Sequence, residues 1–171
     1  MPSERPMETI DEADVRAPIS SIYPLARDVE KWPNHLAHYR FVRFRERDGR
    51  HGGIVEMSAN RPFALVLGSG TAVNLNWPTW WLSEMEVDDL KPAIRFRHIG
   101  GITKGMEVEW TFRPTANGTH VRIVHMWEGP RWPFVGIPAA RLVIGPVFVH
   151  GIASRTLAGL AAAAERDPAN S

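Results

Sequence analysis

The sequence predicts an α+β domain, and three patterns carry that assignment. Apolar and polar residues alternate with period two through the middle of the chain, turn residues punctuate that alternation at short intervals, and an Ala- and Leu-rich helical run follows near the end. The clearest alternation is Met106-Glu107-Val108-Glu109-Trp110-Thr111-Phe112-Arg113, where every second side chain is apolar. A strand of that kind keeps one face dry and the other wet. Val121-Arg122-Ile123-Val124-His125-Met126-Trp127 is a second example. The chain has seven tryptophans and no cysteine. A curved sheet carrying Trp, Phe, Met and His on its inner face is suited to wall a cavity for a large apolar or aromatic ligand.

The elements follow in order. Met7 to Arg16 is a first strand, and Ala17-Pro18 opens a helix in which Ile19, Ile22, Leu25 and Ala26 recur at helical spacing up to Asp28. A second short helix takes Pro33 in its first turn and turns Leu36 and Tyr39 inwards. Six strands are then predicted: Tyr39 to Arg47, Gly53 to Ala59, Thr79 to Asp88, Ala93 to Ile99, Lys104 to Arg113 and Thr119 to Glu128. Asp48-Gly49, Leu90-Lys91-Pro92, Gly100-Gly101 and Asn117-Gly118 separate them, and strands joined by short turns pair antiparallel. Asn60 to Pro78 is less regular, and its pattern leaves strand and mobile loop both open. Beyond Pro138 the pattern is helical, with Ala153 to Glu165 a strong helix former that Asp167-Pro168 stops. The sheet must cover its apolar face with this helix.

Length and composition set the outer bounds. A chain of 171 residues predicts one domain spanning 1–171, with its core at about 7–165. Twenty basic and 19 acidic residues leave a net charge of +1, which gives no field that would attract nucleic acid. Arg40, Arg43, Arg45, Arg47 and Arg50 alternate with Phe41, Val42, Phe44 and acidic Glu46 and Asp48, and form the solvated face of a strand. Without cysteine there are no disulfides and no thiolate chemistry, which fits a reducing compartment. No secretory leader precedes Met7, so the expected location is the cytoplasm. Phe134 to Ala153 approaches the length of a membrane span, but Gly136, Pro138, Gly145, Pro146 and Gly151 interrupt it, and a packed helix with a broken first part is expected. Gly129-Pro130-Arg131-Trp132-Pro133 and Gly145-Pro146 mark 129–146 as a hinged entrance lid.

In this order of elements the chain resembles the START-like, or SRPBCC, superfamily, and within it the polyketide cyclase/dehydrase group with its aromatase/cyclases and coenzyme Q-binding proteins. Ala17-Pro18, Asp28-Val29-Glu30-Lys31-Trp32-Pro33 leading to Tyr39, Gly105-Met106 through Trp110-Thr111-Phe112, and Gly118-Thr119 through Trp127 carry the resemblance. It implies a helix-grip fold, a curved antiparallel sheet around a long C-terminal helix with a cavity between them. It also implies a hydrophobic ligand such as a polyketide, quinone or lipid, no cofactor, and compatibility with transient membrane contact. In the aromatase/cyclases it resembles, a pocket arginine and tyrosine guide aldol closure and dehydration of a poly-β-ketone. Tyr39 matches the tyrosine, and Trp32, Trp81 and Trp110 match aromatic positions. The arginine position falls on Met85, which can neither polarise a carbonyl nor hold a proton.

Strand phase, with charge outwards, gives the rest of the wall. Trp81, Ser83, Met85 and Val87 face inwards, as do Ile94, Phe96 and His98, then Met106, Val108, Trp110 and Phe112, then Val121, Ile123, His125 and Trp127, with Val55 and Met57 alongside. The candidate ligand-binding residues are Trp32, Leu36, Met57, Trp81, Ser83, Met85, Phe96, His98, Met106, Trp110, Ile123 and Trp127. Tyr39 and His125 are the candidate catalytic pair, the histidine because an imidazole in an apolar cavity can serve as acid or base near neutral pH. His35 and His38, three apart without a matching carboxylate, are exposed polar residues and not metal ligands. Gly68-Ser69-Gly70 lacks both the strand-to-helix context of a nucleophile elbow and the Lys-Ser or Lys-Thr of a phosphate loop. Two function classes remain: a carrier or sensor for a hydrophobic molecule, and a cyclase/dehydrase.

Overall fold

The computed structural model describes residues 7–66, 72–128 and 149–166, with the side chains of 61–66, 72–75 and 77 left out of the description. The region predicted as an entrance lid, 129–146, lies outside the described residues.

The chain opens with β1 (Met7–Val15) and α1 (Ile19–Arg27), passes through a 3-10 turn (Val29–Lys31) into α2 (Trp32–His35), and then lays down six strands. These are β2 (Tyr39–Asp48), β3 (Gly52–Val66), β4 (Ala72–Asp88), β5 (Ala93–Gly101), β6 (Glu107–Thr115) and β7 (Gly118–Trp127). The helix α3 (His150–Glu165) ends the described fold. All seven strands form one curved antiparallel sheet in the order β1-β7-β6-β5-β4-β3-β2. Consecutive strands are neighbours except at one edge, where β1 pairs with β7 in register from Met7 opposite Trp127 to Val15 opposite Thr119. This is the helix-grip fold. None of the described helices is long and apolar enough to cross a membrane.

The inward phase follows from the alternation. Val55, Met57, Trp81, Met85, Ile94, Phe96, Val108, Trp110, Phe112, Val121, Ile123 and Trp127 are all buried, while their neighbours Glu86, Arg95 and Glu107 face water. The helix α3 closes the concave side with Ala153, Thr156, Leu157, Leu160 and Ala164, a stripe at helical spacing. It packs on β1, α1, α2 and β3. Gly159 lies on α3 where Leu36, just after α2, comes in: a Cβ there would sit 2.3 Å from Leu36 Cδ2. Gly118 does similar work at the β6–β7 turn. Its φ is +152°, and a Cβ would meet the Val15 carbonyl oxygen at 2.0 Å, so only glycine lets β1 close against β7 there.

Three local readings change. Asn60 to Pro78, open in sequence, is regular hairpin backbone where described, with Asn60 opposite Pro78 and Val66 opposite Ala72. Arg61-Pro62 and Pro78 break the alternation without preventing the pairing. The turn expected at Gly100-Gly101 falls later. The strand β5 runs through Gly101, and the chain reverses over 102–105, held by Gly105 N–H to the His98 carbonyl (2.8 Å) and Met106 N–H to the Thr103 carbonyl (3.0 Å). The strand predicted from Lys104 therefore begins at Glu107. Finally, α3 starts at His150, three residues before the propensity-rich run.

Three of the four arginines on β2 are anchored by carboxylates. Arg43 and Arg45 both reach Glu56, at 2.7 and 2.6 Å, and Arg47 pairs with Glu30. Glu56 also accepts the Trp80 indole N–H at 2.7 Å. Hydrogen bonding from Arg43 leads the effects that hold its carboxyl down at about 2, with burial opposing and Trp80 and Arg45 assisting.

Candidate functional site

Between the concave face and α3 lies a cavity of about 70 Å³, lined by Trp32, Tyr39, Met57, Trp81, Phe96, His98, Thr103, Met106, Val108, Trp110, His125, Val149, Ile152, Ala153 and Thr156. Its floor comes from β3 to β7, one end from α2 and the start of β2, and its roof from the first turns of α3. An aromatic chain runs along it. Trp32 sits 5.2 Å from Tyr39 and 5.8 Å from Trp110 between ring centroids, Tyr39 is 6.2 Å from Trp81, and Trp81 stacks on His98 at 6.1 Å with 14° between planes. Such pairs add modestly to area burial and fix the rings in place.

Nine of the candidate residues meet at this cavity: Trp32, Tyr39, Met57, Trp81, Phe96, His98, Met106, Trp110 and His125. Five others are buried but lie outside its lining. Leu36 packs against Gly159. Trp127 donates its indole N–H to the Lys104 carbonyl at 3.1 Å and so secures the β5–β6 turn. Ile123, Ser83 and Met85 lie in the sheet's core, where Ser83 Oγ has no partner and Met85 is opposite Phe96. The lining residues absent from the candidate set are Thr103, Val108, Val149, Ile152, Ala153 and Thr156. Helical spacing of Ile152, Ala153 and Thr156 could have found three of them. Thr103 carries no such signal, because a turn residue has no periodicity.

The polar groups of the cavity fall into three places. The Tyr39 hydroxyl lies 3.4 Å from Thr156 Oγ, which donates to the Ile152 carbonyl (2.8 Å) and is 3.1 Å from His38 Nε2. Burial raises the Tyr39 pKa, so the phenol stays protonated and can donate. Half-buried His38, expected to be simply exposed, is joined to this group; burial lowers its pKa, with Arg155 acting in the same direction. His98 Nδ1 is 2.6 Å from Thr103 Oγ, and burial pushes its pKa down to about 3, with His125 adding to the shift. His125 is pushed down to about 4, again by burial first and His150 second, and its Nδ1 is buried without a partner. Both imidazoles are therefore neutral near pH 7. Among the described residues no group of three or more His, Cys, Asp or Glu side chains is arranged to hold a metal ion.

Fold and site together define a helix-grip protein with an aromatic-walled internal cavity. The chain belongs to the polyketide cyclase / dehydrase and lipid transport family, whose profile matches residues 15–147. Among solved structures it is similar to the Zhui aromatase/cyclase from Streptomyces sp. R1128, at 17% identity and a TM-score of 0.71 over 94% of this chain and 95% of that one. It is also similar to the TTHA0849 protein of Thermus thermophilus, at 23% identity and a TM-score of 0.69 over 92% and 97%. A START superfamily protein from Mycobacterium smegmatis matches at 16% identity and a TM-score of 0.58 over 94% of each chain. At these identities the likeness is one of fold. Comparison with curated proteins gives no sequence match.

Proposed function

We propose that this protein binds a hydrophobic or aromatic small molecule, such as a polyketide, quinone or lipid, in the cavity beneath α3 and acts as a carrier or sensor. The observation that carries the reading is the lining itself: four aromatic side chains, Trp32, Trp81, Phe96 and Trp110, with Met57, Met106, Val108, Val149, Ile152 and Ala153, and only five polar groups among them. A dry aromatic surface with few polar groups favours an apolar ligand and fixes its orientation at a few points. At about 70 Å³ the cavity is smaller than the roughly 150 Å³ void that takes up benzene, so a polycyclic ligand requires the walls to part.

A second reading is cyclisation and dehydration of a poly-β-ketone. Tyr39 favours it, as a buried, protonated phenol on the cavity wall able to donate to a substrate carbonyl, with neutral His125 able to take up a proton. Met85 argues against it, since the position that the resemblance gives to the arginine holds a buried side chain with no proton to offer.

The test is titration with quinones, fatty acids and polycyclic aromatics, read by tryptophan fluorescence and melting temperature. Ligands that bind the native state should raise the melting point, by about 2.7 kcal/mol of stability at a hundredfold excess over Kd. A panel that moves neither signal removes the binding reading. Turnover of a poly-β-ketone mimic that falls on the order of a hundredfold in Tyr39→Phe with affinity unchanged would promote the second reading over the first.

A further inference from the structure

Away from Tyr39, at the opposite edge of the sheet, three buried polar atoms have no hydrogen-bond partner among the described residues: Thr9 Oγ1, Asp11 Oδ2 and His125 Nδ1. Their strand register brings them together. Thr9 is directly opposite His125 in the β1–β7 ladder, and Asp11 follows two residues along on the same face of β1. Cross-strand partners have Cβ atoms roughly 4.5–5.5 Å apart and diagonal ones somewhat more, so one small group can reach all three. Asp11 and His125 are 5% and 7% exposed, and His125 lines the cavity. The other carboxylate oxygen of Asp11 is already held, at 2.6 Å from Nδ1 of His150, whose side chain is 62% exposed at the start of α3. Asp11 Oδ2 is thus left as a buried acceptor beside the cavity, whose lining takes in His125 but neither Asp11 nor Thr9.

Buried orphans of this kind are destabilising, and each calls for a partner outside the fold. A carboxylate oxygen accepts only. Threonine both donates and accepts, and a neutral imidazole nitrogen does one or the other. The group that completes the set is a hydroxyl, which donates to Asp11 Oδ2 while accepting from Thr9 or His125. We infer that Thr9, Asp11 and His125 form a hydroxyl-recognising subsite just behind the cavity wall at β1–β7, reached from the cavity at His125 and selecting aromatic ligands that carry a free hydroxyl. This rests on the binding reading above and sharpens it. With Tyr39 on β2 and Asp11 on β1, at opposite sheet edges, a ligand spanning the cavity would meet a hydrogen-bond donor at one end and an acceptor at the other.

The experiment uses the full chain, isotope-labelled, titrated with toluene, anisole and phenol and followed by amide NMR shifts of cavity residues. Phenol is better solvated than toluene and partitions less into an apolar void. The subsite reverses that order, and phenol should bind at least about tenfold tighter than toluene or anisole. Asp11→Leu should erase the preference while leaving the melting temperature nearly unchanged, since relief of the orphaned Oδ2 offsets loss of the tie to exposed His150. A merely structural tie between Asp11 and His150 would show the opposite, a lower melting temperature with the preference kept. Thr9→Val, nearly isosteric, should reduce the preference and serves as the deciding variant if Asp11→Leu folds poorly. Equal binding of the three probes in the parent overturns the subsite and leaves ordered water as the partner of these atoms. Retention of the preference in both variants overturns it as well. If no probe, toluene included, shifts any cavity residue, the apolar-cavity reading itself fails and the subsite with it.

Discussion

His98 and His125 are the residues on which the cavity's behaviour with pH turns. Both are buried and neutral in the fold, at about 3 and about 4, against an ordinary value of 6.5. Above pH 6.5 neither state of the protein binds the extra proton, and nothing is lost. As pH falls below 6.5 the unfolded chain takes up protons that the folded chain refuses, so stability declines by about 1.4 kcal/mol per pH unit for each histidine until the folded values are reached. Glu56 adds to the decline in a lower window, between 4.5 and about 2, where its arginine-held carboxylate is finally protonated. Urea unfolding at pH 7, 5.5 and 4.5 should show this loss, and His125→Leu should lose distinctly less between 6.5 and 4; a variant whose pH profile parallels the parent's would show that His125 is not held neutral. Sequence alternation was enough to turn His125 inwards. It could not reveal Asp11 beside it, because β1 mixes Glu, Thr, Ile and Asp with too little contrast to assign a dry face.

At the scale of elements, the grip of α2 on α3 depends on a contact between Leu36 and Gly159. Glycine inside a helix is worth about 1 kcal/mol less than alanine, so Gly159→Ala would stabilise α3 if nothing lay against it. Leu36 does lie against it, 3% exposed, and its Cδ2 methyl must shift to admit a Cβ. Overpacking of this sort typically costs about 1–3 kcal/mol. Gly159→Ala alone should lower the melting temperature, and in a Leu36→Ala background the same change should raise it; a single variant more stable than the parent would mean that the two helices have slack. Leu36 was turned inwards correctly by its spacing, but spacing cannot distinguish a residue that meets a ligand from one that meets another helix. The same limit applies to Trp127 and Met85, both inward by phase and both occupied with the protein's own packing. The β3–β4 pairing failed to stand out for a different reason: backbone pairing of 60–66 with 72–78 tolerates Pro62 and Pro78, which erase the side-chain period.

For the whole molecule, alternation, turns and the final helix were sufficient to give the architecture, because a one-sided sheet must be covered and only one long helix was there to cover it. Cavity dimensions were not legible, since they depend on how closely the roof of Val149, Ile152 and Ala153 approaches the floor. One feature of the topology bears on how the molecule forms at all. Among the described strands the first pairs only with the last, and Thr119 donates to the Ala17 carbonyl across 102 residues of chain. Contacts of such separation require most of the chain to be ordered before they repay the closure, which places this protein among slow folders, in milliseconds to seconds. If β1 docks after the folding transition state, Val15→Ala should accelerate unfolding and leave the folding rate nearly unchanged in stopped-flow measurements, whereas equal slowing of folding would place β1 in the nucleus. Synthesis sharpens the matter. At about 5–20 residues per second the ribosome needs roughly 5–20 s after releasing β1 to deliver β7, and through that interval Ala13 and Val15 have no strand to rest on.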